Sequence, residues 1–200
     1  MFSAWQRLQN TSSWALSVCL TLLAVISVSS WYVLPTVPLG SIDLKSFQVV
    51  PGSGSQSNLE YALMRLDVQS DLTPLFANWN TKQLYVSVVA DWNSTVEGTQ
   101  SSVVLWDRII TRKRPEAAKL SIEGLKAKNV WKVRRGGFKT IPSCHLSLKY
   151  DIMPYVGIVT PGIGARARNP TWNVTTETAK NSFGEWDIAV PGVKSGGVGS

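Results

Sequence analysis

Cysteine, histidine and acidic residues are all scarce in this chain of 200 residues. The two cysteines, Cys19 and Cys144, lie far apart in the sequence, which excludes a disulfide framework and a thiolate metal cluster. Charged residues make up only 16% of the chain and apolar residues 44%, a balance that excludes disorder of the whole chain. The length suits one domain with an appendage, or two small domains.

A single histidine, His145, limits the enzymes that the chain could be. Any serine or cysteine hydrolase that depends on histidine would have to use it. His145 lies on the polar face of a predicted strand and in no nucleophile or metal motif. We therefore predict no catalytic residue, no metal site and no cofactor, and keep a His145-dependent hydrolase as the alternative from the enzyme class.

Basic residues outnumber acidic ones, 20 to 13, for a net charge of +7. Most of the excess lies in two clusters, at 108–114 and 126–139. The sequence has neither an RNA-binding aromatic signature nor a basic recognition helix, so we expect no nucleic-acid partner. A solvated surface, or one that faces lipid headgroups, explains the basic charge better. We also expect no small-molecule substrate.

Residues 8–42 contain no charged side chain, and the part from Trp14 to Leu34 is predominantly apolar. As a helix at ~1.5 Å per residue this part spans ~32 Å, close to the ~30 Å of a bilayer's hydrocarbon core. Trp14 at one end, and Trp31 with Tyr32 at the other, are the aromatic residues preferred at headgroup depth. The pattern predicts a transmembrane signal-anchor helix that contacts the lipid bilayer.

Arg7 is the only charged side chain before Asp43, so the excess of positive charge favours a cytoplasmic N-terminus. A cleavable signal peptide with a cut near Ser30 is the alternative. The anchor is favoured because apolar residues continue to Leu34. The predicted organisation is a cytoplasmic segment at 1–13, the helix at 14–34, a domain outside the cytoplasm at 35–190 and a flexible Gly-rich tail at 191–200.

The chain after residue 42 has the alternating pattern of an antiparallel, mainly β domain, and we predict a β-sandwich. Clear alternation occurs in 84–92, 118–123 and 145–152. Residues 103–110 form a continuous apolar run, which predicts a strand covered on both faces. Residues 59–68 fit a helix or a strand, and Asp71 is expected to cap a single helical turn.

Three N-x-[ST] sequons occur, at Asn10, Asn93 and Asn173. The predicted topology leaves Asn93 and Asn173 open to glycosylation and Asn10 on the wrong side of the membrane. Among the nine tryptophans, we expect Trp92 and Trp106 to belong to the core. Trp79 stands between two asparagines in a predicted turn and is the best candidate for recognition. With Trp172, it would form the site of the rival hypothesis, a carbohydrate-binding β-sandwich.

Three segments carry a family resemblance: DLTPLFANWNTKQLYVSVVAD at 71–91, VVLWDRIITR at 103–112 and LKYDIMPYVGIVTPG at 148–162. With the N-terminal span, they make the chain resemble subunit 3 of the endoplasmic reticulum signal peptidase complex. The chain departs from that pattern at Ala77, in its basic segment 134–139 and at its Gly-rich end.

The resemblance implies a single-pass type II protein of the endoplasmic reticulum membrane with a lumenal β-sandwich and an uncleaved anchor. It also implies a non-catalytic subunit that supports a separate catalytic subunit in removing N-terminal signal peptides from nascent secretory proteins. The expected partners are the catalytic and other subunits of that complex. We predict that the partner interface uses Trp79, Asn80, Lys82 and Gln83.

Overall fold

A computed structural model describes residues 3–93, 100–134, 137–141, 143–167 and 188–189. Its first element is the helix α1, Ala4–Tyr32, whose N-cap residue Ser3 accepts a hydrogen bond from the backbone N–H of Gln6. The helix begins before the predicted residue 14, since the polar residues that follow this cap continue the same helix. It ends before Leu34, because a residue that precedes proline disfavours the helical conformation.

The rest of the described chain is mainly strands, which confirms the predicted β class with one preceding helix. The strands of the described residues are β1 Gly40–Pro51, β2 Leu59–Asp71, β3 Thr81–Asn93, β4 Gln100–Thr111, β5 Lys119–Lys126, β6 Trp131–Arg134, β7 Ser143–Pro154, β8 Thr160–Ala167 and β9 Ile188–Ala189. These nine described strands form one sheet in the order β4-β3-β7-β8-β1-β2-β5, with β6 paired to β2 and β9 to β7. The described pairings are antiparallel apart from β1 with β8, which is parallel.

The sheet curls on itself, so that its two ends in the strand order approach each other. The backbone N–H groups of Lys128 and Asn129, just after β5, donate to the carbonyl oxygen of Leu105 in β4 at 2.8 and 2.9 Å. The two layers of the predicted sandwich are therefore parts of one curled sheet. Apolar side chains from both parts fill the interior, among them Ile42, Leu66, Leu84, Leu105, Leu146 and Leu148, each 0% exposed.

An aromatic cluster closes the core away from the helix. Trp131 is 1% exposed and packs against Phe47, Trp92 and Phe138, with ring centroids 4.5–6.4 Å apart. Trp92 and Trp106, which were expected in the core, are half-buried against it. Among the described tryptophans, the fully buried one is Trp131, whose four-residue strand is too short for alternation to show.

Several strand predictions are confirmed, and one burial prediction is wrong. The ambiguous segment 59–68 belongs to β2, with Ala62, Met64, Leu66 and Val68 buried on one face. The segment 145–152 lies in β7, although Ser147 on its polar face is also buried. The run 103–110 is not covered on both faces: it lies in β4, where Arg108 is exposed and Ile109 is 58% exposed.

We call the end of the sheet next to the last turns of α1 the helix-side end. Four connections between the described elements lie at this end. β1, β3, β5 and β8 begin there, and β2, β4 and β7 end there, as their pairing registers require. The connections are residues 33–39, 72–80, 112–118 and 155–159.

Candidate functional site

The last turns of α1 are fastened to the β domain by one asparagine. Asn78 is 4% exposed, and its Nδ2 donates to the carbonyl oxygen of Ser30 at 3.0 Å and to Ser30 Oγ at 3.3 Å. Ser30 is 7% exposed and is the buried residue of α1. A carbonyl in the last turn of a helix has no partner within the helix, so this contact satisfies a group that otherwise needs water. The helix end and the domain thus share buried hydrogen bonds.

Residues 78–80, which we call the 78–80 turn, are held by a hydrogen bond within the turn and by hydrogen bonds from Arg112. The Oδ1 of Asn78 accepts from the backbone N–H of Asn80 at 3.0 Å. Arg112 Nη1 donates to the carbonyl oxygens of Asn78 at 2.7 Å and of Thr81 at 3.1 Å. Trp79 projects from this turn with 53% of its surface exposed. The backbone is therefore braced while the indole stays free to contact another molecule.

Asn80 ties the 78–80 turn to residues 155–159, which we call the 155–159 loop. Its Nδ2 donates to the carbonyl oxygen of Val156 at 2.7 Å, and its Oδ1 accepts from the Val156 N–H at 3.1 Å. The backbone N–H of Tyr155 also donates to the Asn80 carbonyl oxygen at 2.9 Å. One side-chain amide thus pairs with one peptide group and fixes the position of the loop.

The four predicted interface residues lie close together but differ in exposure. Trp79 and Lys82 are exposed, whereas Gln83 is half-buried and its Nε2 lies 3.0 Å from Met153 Sδ. Asn80 is 1% exposed, so in this conformation it positions Trp79 and the loop rather than contacting a partner. Sequence analysis missed Asn78 and Arg112 as positioning residues, although both lie within the segments that carry the family resemblance.

A groove of about 430 Å³ separates the end of α1 from the 155–159 loop. Its lining is mostly apolar, with Val28, Trp31 and Leu34 on the helix side and Ile152 and Pro154 on the strand side. The groove is therefore suited to an apolar occupant.

Asp71, at the end of β2, also lies at the helix-side end. Asp71 Oδ1 accepts a hydrogen bond from the backbone N–H of Thr73 at 3.0 Å, but the single turn that follows, Thr73–Ala77, has Leu72 at its N-cap and not the expected Asp71. Hydrogen bonds from the Thr73 hydroxyl and N–H hold the pKa of the Asp71 carboxyl below its ordinary value.

His145 lies half-buried on β7, opposite Asp91 of β3. Asn93 ends β3, whereas Asn173 and Trp172 lie outside the described residues.

Comparison with known proteins places this arrangement in a family. The family model described as "Signal peptidase subunit" matches residues 1–174, a range that includes α1 and strands β1 to β8. The chain belongs to this family of signal peptidase subunits. α1 is also long and apolar enough to cross a membrane, which fits a single-pass membrane protein.

Named relatives agree with the family match. Signal peptidase complex subunit 3 of Saccharomyces cerevisiae is 36% identical over 173 residues, covering 81% of this chain and 91% of the yeast protein. The protein of the same name from Debaryomyces hansenii is 29% identical over 169 residues, covering 78% of this chain and 86% of the relative. The human protein of that name is 30% identical over 118 residues, covering 59% and 62%. These similarities do not favour the carbohydrate-binding alternative.

Proposed function

We propose that the chain is a non-catalytic subunit of the endoplasmic reticulum signal peptidase complex. In this role it supports the catalytic subunit in removing N-terminal signal peptides from nascent secretory proteins. The observation that carries the proposal is the family match over residues 1–174, which takes in the helix and the domain together. The relatives are named as subunits of the signal peptidase complex, which is why we propose this complex as the assembly.

We further propose that α1 crosses the membrane once, with the N-terminus in the cytoplasm and the β domain in the lumen. Arg7, as the only charged side chain before Asp43, supports this orientation through the tendency of positive charge to stay in the cytoplasm. The hydrogen bonds from Asn78 to Ser30 hold the domain beside the point where the helix leaves the bilayer. The domain would then stand next to membrane-embedded partners rather than on a free tether.

The proposed contact with the catalytic subunit centres on Trp79. Tryptophan is enriched among the residues that dominate binding energy in protein interfaces, and a fixed backbone lowers the entropy lost on binding. Arg112 and Asn78 brace the backbone of the 78–80 turn, while the indole is 53% exposed. Lys82 is an exposed neighbour that adds a positive charge, and Gln83 lies on the same stretch.

Trp79→Ala tests this contact. We expect the full-length variant, purified in detergent, to melt close to the wild-type temperature, because an exposed side chain contributes little to folding. Its co-purification with the catalytic subunit should fall, since truncating an anchor of this kind typically costs at least ~2 kcal/mol of binding. The matched control is Ile109→Ala, which removes an apolar side chain of similar exposure, 58%, from β4.

Loss of co-purification by Trp79→Ala but not by Ile109→Ala would support the interface. If Trp79→Ala unfolds the domain, Trp79 has a structural role and the interface assignment fails. If wild-type protein does not co-purify with a signal peptidase assembly at all, the proposed function itself fails.

A further inference from the structure

The 155–159 loop exposes apolar side chains to an unusual extent. Ile158 is 84% exposed, Tyr155 60% and Val159 50%, and the loop contains no charged residue. Connections that face water are normally polar, and contiguous exposed apolar patches mark an interaction surface. The loop is nevertheless ordered against its neighbours, because Asn80 pairs with the peptide group of Val156.

The loop lies against the side of α1, before the helix ends. A Cβ added at Gly157 would be 2.6 Å from the Oγ of Ser27, so the loop backbone nearly touches the helix there. Gly157 also has a φ of +119°, a conformation that favours glycine. Ser27 precedes Trp31 by about 6 Å along the axis, at ~1.5 Å per residue. The loop therefore reaches past the aromatic end of the helix toward its apolar middle.

Exposed apolar side chains are concentrated at the helix-side end. The described chain from Trp31 onward has 13 exposed large apolar side chains, and eight of them lie at the helix-side end. They are Trp31, Tyr32, Val33, Leu39, Trp79, Tyr155, Ile158 and Val159. Three exposed cationic residues at the same end, Lys82, Lys113 and Arg114, outnumber the exposed Glu116 beside them and are suited to phosphate headgroups. Aromatic and aliphatic tips beside cations are typical of a surface that lies on a bilayer.

We propose that the 155–159 loop dips into the lumenal leaflet beside α1, with Ile158 and Val159 among the lipid chains and Tyr155 at headgroup depth. The occupant of the adjoining groove is then a lipid acyl chain, because the groove joins the loop to the lipid-facing side of the helix at Val28 and Trp31. This inference rests on the single membrane span of the proposed function. It gives the domain two attachments to the bilayer, which fix its tilt and the height of Trp79 above the membrane.

The test measures lipid contact at single sites in the full chain, reconstituted into phosphatidylcholine vesicles. An NBD fluorophore is attached to Ile158→Cys, to Val159→Cys as a second loop position, or to Leu63→Cys as a control, each combined with Cys19→Ser. Leu63 is also apolar and exposed, at 49%, but lies on β2 toward the opposite end of the sheet. In a fourth sample, the fluorophore is attached to the native Cys19 of α1, which is exposed. Cys144 is kept in all samples, because it is buried and therefore protected from labelling. Vesicles contain lipids with a nitroxide at carbon 5 or at carbon 12 of the acyl chain.

We expect the loop probes to have blue-shifted emission and to lose most of it with the carbon-5 nitroxide, while the Leu63 probe keeps its emission. The Cys19 probe should be quenched best by the carbon-12 nitroxide, because Cys19 lies within the span. Loop probes that escape quenching while the Cys19 probe is quenched would overturn the loop insertion and leave the span intact. The loop probes are also measured in the signal peptidase complex reconstituted into the same vesicles. Loop probes that shift blue there but escape quenching would assign the loop to a protein partner and also overturn the loop insertion. A Cys19 probe that escapes quenching would refute the span itself.

Discussion

Replacing Asn80 tests whether one buried amide sets the geometry of the helix-side end. Asn80→Ala removes the donor to the Val156 carbonyl oxygen and the acceptor of the Val156 N–H. It keeps the backbone bond from Tyr155 to the Asn80 carbonyl oxygen. The 155–159 loop should therefore stay connected to the 78–80 turn but lose its fixed position.

The two lost hydrogen bonds define the size of the effect. A neutral hydrogen bond contributes roughly 0.5–1.5 kcal/mol net, so the pair contributes about 1–3 kcal/mol. We expect the middle of this range, about 2 kcal/mol, because the backbone bond from Tyr155 keeps the loop connected while the half-buried Val156 peptide group loses both side-chain partners. In a domain of this size each kcal/mol lowers the melting temperature by roughly 2–4 °C, which gives a fall of about 6 °C.

Thermal unfolding of the full-length chain in detergent measures the melting temperature, and hydrogen exchange of the Val156 amide measures the local effect. Asn80→Asp serves as the control for the exchange measurement alone, because a carboxylate can accept from the Val156 N–H but cannot donate to its carbonyl oxygen, while a buried charge lowers the melting temperature by itself. We expect faster exchange of Val156 in Asn80→Ala than in Asn80→Asp. Unchanged melting and unchanged Val156 exchange in Asn80→Ala would refute the positioning role of Asn80.

Three further predictions concern topology, chemistry and pH. Endoglycosidase should shift the wild-type band but not that of an Asn93→Gln, Asn173→Gln double variant; a glycan on the N-terminal sequon at Asn10 would reverse the proposed orientation. His145→Ala should leave signal-peptide cleavage by the reconstituted complex nearly unchanged, and a large loss of turnover in an intact assembly would contradict the non-catalytic role. The hydrogen bonds that lower the pKa of the Asp71 carboxyl in the folded state stabilise the fold above about pH 4, where the carboxyl is ionised in both states. This stabilisation is lost as the pH falls through the folded-state pKa of Asp71. The melting temperature of Asp71→Asn should therefore fall less than that of the wild type on acidification, and parallel pH curves would argue against the charge-assisted hydrogen bonds from Thr73 to Asp71.

Local patterns were sufficient for most of the strands. Period-two alternation identified the buried face of β3 and the core of β7, because side chains at every second position of these strands point into the interior between the two layers. A continuous apolar run predicted cover on both faces for 103–110, and this failed because Arg108 and Ile109 in β4 are exposed. Composition does not reveal whether a second layer covers the outer face of a strand, since that depends on how distant segments pack.

The candidate site was predicted only in part. Trp79 was recognised from its setting in a turn between asparagines, and its exposure agrees with that prediction. Asn80 was placed in the interface, but it is buried and bonded to a residue far along the chain. A side chain's hydrogen-bond partner across such a separation is not encoded in its local sequence.

The sequence by itself determined the apolar helix, the β class of the remainder and the family, because these depend on composition, periodicity and residue order within short segments. The tertiary structure decided how these parts meet. Folding brings Ser30, Asn78 and Val156 together at one end of the sheet, although they belong to the helix and to two separate connections. That meeting depends on the curl and order of the strands, which arise from long-range pairing, and it holds the helix, the exposed Trp79 and the 155–159 loop in one fixed arrangement.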